Sequence, residues 1–436
     1  MAGLLDPTAS AEAAQRFSAE GVRFVRVNHA DPHGRCRSKE LPISRLPIAT
    51  TGIGYCAASL VEGLDGEPLM GEAFPGGQGF PDLHAIGDLA TARIASWQPD
   101  TLWLLADLIE PAGAPSPLCM RGVLRRVIAR LEERGLHAMV ASEPEFYILR
   151  VADDGGIEHY SPLAGMAYTT GVRADPTGLV RRIHTALDSF GLGVTSALRE
   201  FSPGQFEINL AHADAMSAAD NAFLLEEVIK EIAASEGLLA TFMAKPLTDS
   251  EGSSHHVHAS LWRGEANIFD DAGHLSAEAR SFAAGLIAHS AGLTALAAPT
   301  INSYKRLGNG EMCPSTATLG GDRRQAYVRV PPERGRGTRV ELRVGDASAN
   351  PYLLIAGMLA AGLDGVERGL DPDAIPPLPL PRSLDAALVA LEADEVLAGM
   401  LGAQLLDAMV AVKRRELERF GLAVTDWEWR EYATHA

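Results

Sequence analysis

Residues 141–149 place two glutamates, Glu143 and Glu145, two positions apart in an otherwise apolar run. The run predicts a β-strand, and because side chains alternate along a strand, Glu143 and Glu145 share one face while Phe146 and Ile148 share the other. Two neighbouring carboxylates repel each other unless a cation joins them. A solvated sheet face is the simpler interpretation, because glutamate is usually exposed. A metal site is the alternative, and it requires further acids elsewhere in the chain.

Composition excludes several classes of protein. With 436 residues, 47% of them hydrophobic, the chain can bury a large core and is long enough for two or more domains. Its net charge of -18 argues against binding to nucleic acid or to an anionic membrane. Cys36, Cys56, Cys119 and Cys313 are too far apart to suggest a disulfide framework or a zinc site, so we expect a reducing cytoplasm. We also expect neither a signal peptide nor a membrane span.

The order of predicted elements indicates an α+β fold. Short apolar runs over residues 11–109 predict a strand-rich N-terminal domain, and three prolines in residues 111–117 mark a linker. The predicted domains are therefore residues 1–112 and 113–436. Helices that do not alternate one for one with strands favour an antiparallel sheet in the second domain. We predict helices at residues 120–134, 176–190, 221–235, 277–296 and within 384–422, and strands at residues 193–198, 205–210, 239–243, 256–261, 326–330 and 338–344.

Further polar side chains fall on these predicted strands. Glu200 and Glu207 flank a Pro-Gly turn, so a hairpin would bring them to one edge. His256 shares a strand face with His258, and Glu341 follows on a later strand. A buried histidine pair alone is more often satisfied by protein hydrogen bonds than by metal. Five glutamates and a histidine on one side of a sheet, however, would be costly to bury without divalent cations, and oxygen-rich ligation selects Mg²⁺ or Mn²⁺.

Arginines are the candidate ligands for phosphate. The sequence has neither a P-loop nor a dinucleotide-binding glycine pattern. Arginine has a forked donor geometry that suits carboxylates and phosphoryl oxygens, although a solvated basic stripe is the simpler alternative. Five arginines cluster in the last third of this acidic chain: Arg306, Arg324, Arg329, Arg339 and Arg343.

Together with Asn302-Ser303-Tyr304-Lys305-Arg306 and Asn350-Pro351-Tyr352, the glutamates, histidines and arginines named above form six ordered motifs that resemble the glutamine synthetase family. The resemblance runs from about residue 20 to the end of the chain and implies a small N-terminal β-grasp domain and a large α+β catalytic domain. It also implies homo-oligomeric rings, in the form of a dodecamer, with each active site shared between neighbouring subunits. The motifs are Glu143-Pro144-Glu145-Phe146, Pro203-Gly204-Gln205-Phe206-Glu207, His256-Val257-His258, Asn302-Ser303-Tyr304-Lys305-Arg306, residues 324–331, and Glu341-Leu342-Arg343 with Asn350-Pro351-Tyr352.

The resemblance implies two metal sites and a substrate funnel. One ion would be held by Glu145, Glu200 and Glu207, and a second by Glu143, His256 and Glu341. Arg306 would hold the substrate α-carboxylate, while Arg324 and Arg343 would lie near the transferred phosphoryl group as catalytic residues. The positions that match the ATP side are His258, Ser260, Arg329 and Arg339.

The sequence departs from the family where ammonium would bind. Cys56 and Met312 stand where the family has acids, although the neighbouring Glu311 could substitute as a catalytic residue. A pocket without those acids favours an amine that carries an apolar or bulky group. Glu251 replaces a family amide beside Gly252 in the glutamate site. A carboxylate there would disfavour a substrate carboxylate and favour its α-amino group.

The leading prediction is an ATP-dependent glutamate-amine ligase. It would phosphorylate the γ-carboxylate of glutamate, and a primary amine other than ammonium would attack the acyl phosphate. One alternative is an ordinary glutamine synthetase that uses Glu311, and another is a non-catalytic assembly protein with this fold. The predicted partners are ATP, glutamate, an amine and Mg²⁺ or Mn²⁺. We expect no binding to nucleic acid or to a membrane.

Overall fold

Two β-sheets and the helices packed on them form the core of the chain. The computed structural model describes residues 7–70, 79–307 and 312–435. Its α-helices are α1 (Pro7–Ala19), α2 (Leu46–Ala49), α3 (Met120–Glu132), α4 (Leu179–Ser189), α5 (Ala215–Ser235), α6 (Ala277–Ala288), α7 (Ser290–Ala297), α8 (Ser303–Leu307), α9 (Pro351–Arg368), α10 (Leu384–Ala393), α11 (Glu395–Leu401), α12 (Ala403–Leu422) and α13 (Asp426–Tyr432).

The first sheet lies in the N-terminal part of the chain. Its strands lie in the order β2-β1-β5-β4-β3, and only β1 and β5 run parallel. Val25 and Val27 are fully buried while Arg26 between them is half-buried, as the alternation of a strand requires. The strand-rich character predicted for this region is confirmed, and its β-grasp assignment stays a prediction. The strands are β1 (Phe24–Ala30), β2 (Cys36–Pro42), β3 (Ile53–Cys56), β4 (Asp82–Ile94) and β5 (Thr101–Ile109).

The second sheet is mainly antiparallel and runs through the middle of the molecule. Its main path is β17-β18-β19-β12-β6-β9-β8, in which only β17 and β18 are parallel, and β7, β10, β11 and β13 join it at the side. The strands after β5 are β6 (His137–Val151), β7 (Ile157–His159), β8 (Val194–Arg199), β9 (Gln205–Leu210), β10 (Ala213–Asp214), β11 (Leu239–Thr241), β12 (His255–Arg263), β13 (Ala266–Asn267), β14 (Asp270–Asp271), β15 (His274–Leu275), β16 (Thr316–Ala317), β17 (Leu319–Gly320), β18 (Val328–Arg329), β19 (Val340–Leu342) and β20 (Leu378–Pro379).

The predicted α+β class is confirmed, with two corrections among the helices. The helix predicted at residues 277–296 is two helices, α6 and α7, which meet at His289. The predicted C-terminal helical stretch is interrupted at Asp394, whose carboxylate accepts hydrogen bonds from the first turn of α11, and at Gly402, which has a positive φ of 80°. His289, Asp394 and Gly402 thus mark the points where one helix ends and the next begins.

Sequence analysis missed α9, the most buried long helix. Fourteen of its eighteen residues are buried, so it is apolar all round and shows no amphipathic period. Its start does carry a local signal, because Asn350 accepts hydrogen bonds from the backbone N–H groups of Tyr352 and Leu353, and Pro351 occupies the first helical position. α6 crosses α9 closely, since a Cβ on Gly285 would lie 2.1 Å from the Ala361 carbonyl oxygen.

An arginine joins the two sheets across the predicted domain boundary. Arg121, in the first turn of α3, donates to Asp88 and Asp107 of the first sheet and to Asp220 of α5. Tyr352 of α9 also donates to Asp220, at 2.8 Å. This buried network fixes the N-terminal sheet against the helices that carry the second sheet, whereas the boundary at residues 112 and 113 stays a prediction.

The lengths and compositions of the helices bear on whether one of them could span a membrane. Within the described residues, no single helix is both long and apolar enough to cross a bilayer. The segments Glu395–Leu401 and Ala403–Tyr432 pass that test only as a pair, on length and composition, and they are bent by 100° at their junction.

We predict that His289 stabilises the helical layer in a pH-dependent way. Its Nδ1 lies 2.8 Å from Asp394 and its Nε2 lies 3.0 Å from Asp364. Burial lowers the pKa of His289, but the hydrogen bonds to these two carboxylates outweigh burial and raise it above the ordinary value. The stabilisation is therefore fully present below the unfolded pKa of about 6.5 and is lost as pH rises through the higher folded value.

Chemical denaturation of His289→Gln should show a loss of about 2 kcal/mol at pH 5.5 relative to the parent protein, and a much smaller loss at pH 9. The exposed His274 offers a control, because His274→Gln should change stability little at either pH. An equal loss at both pH values for His289→Gln would show that the charge of the imidazolium is not involved.

Candidate active site

Five neighbouring strands place the predicted acids and histidines on one face of the second sheet. Glu145 on β6 lies directly opposite Glu207 on β9. Glu143, two residues earlier on β6, lies opposite His256 on β12. His258 on β12 in turn lies opposite Glu341 on β19. The sequence predicted which side chains share a strand face, and the register of the sheet brings those side chains together in a single site.

This face forms part of the wall of a funnel that is open to solvent at one end. The structure brings most of the predicted site residues into its lining. Those residues are Glu143, Glu145, Glu200, Glu207, Glu251, Gly252, His256, His258, Arg306, Met312, Arg324, Arg329, Arg339 and Arg343.

The first group of carboxylates is Glu145, Glu200 and Glu207. One oxygen from each lies within 4.8 Å of the others. Burial, followed by the charge of Glu145, raises the pKa of Glu200 to about 7 and that of Glu207 to about 9. Burial also raises the pKa of Glu145. These shifts measure how poorly three carboxylates share a buried site without a cation.

Backbone and side-chain donors hold Glu145 in place. Its Oε2 accepts hydrogen bonds from the backbone N–H of Ser254 at 2.9 Å and from Nε2 of Gln205 at 3.0 Å. Gln205 Nε2 also donates to the carbonyl of Gly252 at 3.0 Å. One oxygen of Glu145 is thus fixed by the protein, which orients the other toward Glu200 and Glu207.

The second group is centred on Glu143. Its oxygens lie 3.1 Å from Nε2 of His258 and 4.0 Å from Nδ1 of His256, and His256 Nδ1 lies 3.7 Å from Glu341. Two sets of ligand atoms fall within 4.8 Å of one another, Glu143 with Glu207 and His256, and Glu143 with His258 and Glu341. His258, predicted on the ATP side, therefore also lies within ligand distance.

Protonation states in the second group suit metal ligation. Burial, followed by the charges of Arg343 and Arg306, holds the pKa of His256 well below its ordinary value, so the ring is neutral. Burial would raise the pKa of Glu143, but contact with His258 and the nearby arginines leaves it lowered. A neutral imidazole and an ionised carboxylate are the forms that bind a metal.

The donor set fits divalent cations of the Mg²⁺ and Mn²⁺ type. Carboxylate oxygens dominate, one or two imidazoles contribute, and no thiolate belongs to any of the three groups. Two cations would offset both causes that raise the pKa values of Glu200 and Glu207, burial first and the charge of neighbouring carboxylates second. Ligand chemistry and electrostatics thus agree.

Arginines form another part of the funnel wall, in contact with the acids. Arg306 is buried, and its guanidinium donates to the carbonyl of Val344 and to Oγ of Ser254, both at 3.0 Å. Its Nε has no partner among the described residues. Arg339 donates from Nε to Nδ1 of His258 at 3.2 Å, which leaves Nε2 of that ring facing Glu143 at 3.1 Å.

Two arginines contact Glu341. Arg329 donates to one of its oxygens at 2.5 Å, and Arg343 donates to the other. Arg343 Nε also donates to the carbonyl of Arg324 at 2.7 Å, which links the two residues predicted beside the transferred phosphoryl group. The funnel therefore combines an acidic wall with a wall of fixed guanidinium donors, which suits a metal-bound polyphosphate.

Among the described residues, three predicted site residues lie outside this lining: Cys56, Ser260 and Glu341, which is buried between Arg329 and Arg343. Cys56 ends β3 in the first sheet and is exposed. Ser260 is buried on β12, where its Oγ accepts a hydrogen bond from Trp262 Nε1 at 2.9 Å. Glu311 lies outside the described residues.

Sequence analysis missed several lining residues. Gln205 and Ser254 could have been found, because each lies two positions before a predicted ligand, Glu207 or His256, on the same strand face. The others carry no such parity signal, since their place depends on how loops fold over the sheet. They are Tyr168, Lys245 and Cys313. Asn209, two positions after Glu207 on β9, carries the same parity signal as Gln205.

Comparison with known proteins agrees with this geometry. Residues 117–432 match the family described as glutamine synthetase, catalytic domain. Glutamine synthetase of Methanococcus maripaludis is 34% identical over 456 residues, which cover 97% of this chain and 98% of the relative. Glutamine synthetase of Mycobacterium tuberculosis is 35% identical over 440 residues, with coverage of 94% and 96%.

Solved structures also resemble this chain over nearly its whole length. A complex of GmaS (gamma-glutamylmethylamide synthetase) with ADP superimposes with a TM-score of 0.85 at 32% identity, covering 96% of this chain and 99% of GmaS. A structure described as a novel glutamine synthase homolog gives a TM-score of 0.83 at 30% identity, with coverage of 94% and 98%. The chain therefore belongs to the glutamine synthetase family of ATP-dependent ligases, which use Mg²⁺ or Mn²⁺.

Proposed function

We propose that this ligase joins glutamate to a primary amine other than ammonium, through γ-glutamyl phosphate. The observation that carries the proposal is Met312, whose side chain lines the funnel and is 42% exposed. The resemblance to the family places an ammonium-binding acid at this position. A thioether offers no charge to a small cation but makes favourable contact with an alkyl group.

The acid substrate is assigned to the end of the funnel formed by Arg306 and Gly252. A Cβ on Gly252 would lie 2.6 Å from Cγ of Arg306, so only glycine leaves the guanidinium in its place. Nε of Arg306 is buried without a partner and is available to a carboxylate. We assign the α-carboxylate of glutamate to Arg306 on this basis.

The phosphoryl group is assigned to the end formed by Arg324 and Arg343, with Arg329, Arg339 and His258 on the nucleotide side. ATP with its divalent cations would supply the phosphoryl group and neutralise charge on its oxygens. The guanidinium groups of Arg329, Arg339 and Arg343 are held by protein hydrogen bonds before substrate binds, so they need little rearrangement to stabilise charge that develops during transfer. Ser260 is a weaker candidate than predicted, because Trp262 already donates to its hydroxyl.

A second candidate function is ordinary glutamine synthesis. It is favoured by the sequence relatives, which are named glutamine synthetase. It would require another acid to receive ammonium, and Glu311, adjacent to Met312 in sequence, is the residue predicted for that role. The similarity to GmaS favours the amine ligase instead.

We also propose ring assembly, with a dodecamer as the specific form, and a cytoplasmic location. Rings are common in the family. Cys56 lies on the first sheet, outside the lining of the funnel of its own chain. In a ring, the Cys56 of a neighbouring subunit would complete the amine end of the funnel. All four cysteines are free thiols, as expected in a reducing compartment.

We predict that amines are preferred over ammonium. Phosphate release with glutamate, ATP and Mn²⁺ should be measured against ammonium, methylamine, ethanolamine and putrescine. The best amine should give a kcat/KM at least about tenfold above that of ammonium, because each buried methylene adds binding energy in an apolar pocket. Met312→Glu should shift the preference toward ammonium, while Met70→Glu, which changes an exposed methionine outside the funnel, should not. Ammonium as the best substrate, together with loss of activity in Glu311→Ala, would instead support glutamine synthesis.

Metal binding should release protons and strengthen with pH. Because Glu207 and Glu200 have pKa values raised to about 9 and about 7, both are partly protonated near neutral pH, and Mn²⁺ must displace those protons. Calorimetry should therefore show Mn²⁺ affinity rising from pH 6 to pH 9. Glu207→Gln should weaken Mn²⁺ binding at least about tenfold without lowering metal-free stability, since the neutral amide resembles the protonated acid. Glu158→Gln, at an exposed position, is the control. Unchanged Mn²⁺ affinity in Glu207→Gln would remove this residue from the metal site.

Glu251 should select substrates that carry an α-ammonium group. Its backbone is fixed, because its N–H donates to Ser202 Oγ and its carbonyl accepts from Tyr147, both at 2.7 Å. Its carboxylate lines the funnel beside Gly252 and has no hydrogen bond or ion pair with the described residues. Glu251→Gln should lower kcat/KM for glutamate about tenfold but leave activity with glutarate, which lacks the ammonium group, nearly unchanged.

Asp249→Asn is the matched control for Glu251, because Asp249 lies in the same loop, is exposed and does not line the funnel. Equal losses with glutamate and glutarate would mean that Glu251 acts on the loop and not on the substrate. A gain with glutamate would mean that it opposes the substrate carboxylate.

A further inference from the structure

A second cavity, which shares only Leu198 with the lining of the funnel, lies beside β8. It is open to solvent on one side and is lined by residues 169–178, the first turns of α4 and the end of β8. Ala197 and Arg199 line it together with Phe206, the cross-strand partner of Arg199. Because side chains alternate along a strand, these three lie on the face opposite to Leu198 and Glu207, which face the funnel. The cavity is therefore on the other side of the sheet from the metal ligands.

Arg199 is buried here without a carboxylate partner. It is 1% exposed, and its Nη2 donates to the carbonyl of Leu163, while Nε and Nη1 have no partner among the described residues. Burial lowers its pKa, and no nearby carboxylate offsets the effect. The other buried arginines differ, since Arg121 and Arg343 form ion pairs with carboxylates and Arg306 is close enough to lower the pKa of one. A buried cation with open donors is costly unless an anion reaches it.

The remaining charges around the cavity are also mainly positive. Arg181, Arg182 and His184 line it, whereas Asp175 is the acid in its lining. Arg182 is paired with Glu236 at 3.0 Å, so the free positive charge beside Arg199 is that of Arg181. Asp175 is already used, because its oxygens accept hydrogen bonds from Tyr160 and from the backbone N–H groups of Val180 and Arg181. A local excess of positive charge in a chain of net charge -18 favours a small anion over a cation or a neutral ligand.

The cavity is connected to the funnel through two contacts. Leu198 lines both spaces. The backbone N–H of Tyr168, which lines the funnel, donates to the carbonyl of Arg199 at 2.9 Å, and Glu200 follows Arg199 directly. A ligand bound to Arg199 would therefore affect the position of Glu200, a predicted metal ligand, and of the segment that carries Tyr168.

We propose that this cavity, defined by Arg199 at its base and by Arg181 and His184 at its rim, binds a small oxyanion of the phosphate or carboxylate class. The guanidinium would donate from Nε and Nη1 to two oxygens of the anion, a geometry that arginine provides for both classes. Because both nitrogen atoms are covered, the segment over residues 163–172 moves outward to admit the ligand. This inference does not depend on which amine the ligase uses.

The test is hydrogen–deuterium exchange of the full-length protein, read by mass spectrometry, during separate titrations with phosphate, sulfate and succinate. Binding should slow exchange in peptides that span residues 163–184, because the anion fixes the covering segment. Arg199→Gln should weaken this response at least about tenfold, since two charge-assisted hydrogen bonds are lost. Peptides from β12, which report on the funnel, should respond alike in both proteins. Protection by phosphate and sulfate but not by succinate would identify a phosphate site, and the reverse pattern would identify a carboxylate site.

Arg181→Gln provides a second variant in case Arg199→Gln does not fold. It removes an exposed charge at the rim and should weaken the response about threefold. The matched control is Arg173→Gln, which removes the same charge from the same segment at an exposed position outside the cavity lining, and should leave the response unchanged. Absence of protection with all three anions, or equal protection in the parent protein, Arg181→Gln and Arg199→Gln, would overturn the proposal and leave a cavity filled by water.

Discussion

The repulsion between buried carboxylates on the central sheet is the constraint on which the rest of the structure depends. Glu145 and Glu207 face each other across β6 and β9, and Glu200 adds a third carboxylate within 4.8 Å. Such a site is unfavourable in a protein interior unless cations enter it. The pKa of Glu207, raised to about 9, measures this cost. The sheet is thus built to bind metal, at the expense of its own stability in the metal-free state.

The surrounding structure keeps that unfavourable arrangement in place. Gln205 and the backbone of Ser254 fix Glu145 from behind, and Arg329 and Arg343 hold Glu341. Farther away, Arg121 ties the first sheet to the helices under the second. The helical layer itself is rigid, because α6 and α9 approach each other at glycine positions where no Cβ would fit. Rigid support of this kind lets a site keep its geometry despite internal repulsion.

We predict that the chain departs from its family at the two substrate ends of the funnel. The metal ligands and the arginine wall are of the types that any ligase of this family needs, so they say little about the acceptor. Met312 and Glu251 are the residues whose chemistry differs, the first apolar where an acid is expected and the second acidic where an amide is expected. An enzyme that changes its substrate but keeps phosphoryl transfer needs differences at the substrate ends of its site and not among its metal ligands.

The sequence by itself determined the α+β class, most strands of the second sheet and the residue types of the metal site. These follow from periodicity and parity, which are local properties of the chain. It did not reveal α9, because a helix buried on all sides has no amphipathic pattern, and it predicted one helix where α6 and α7 meet at His289. Only the tertiary structure decided that Glu145 pairs with Glu207, that His258 lies beside Glu143, and that Arg199 is buried without a carboxylate. Register between strands and the folding of loops over a sheet depend on contacts between distant residues, and no local pattern encodes them.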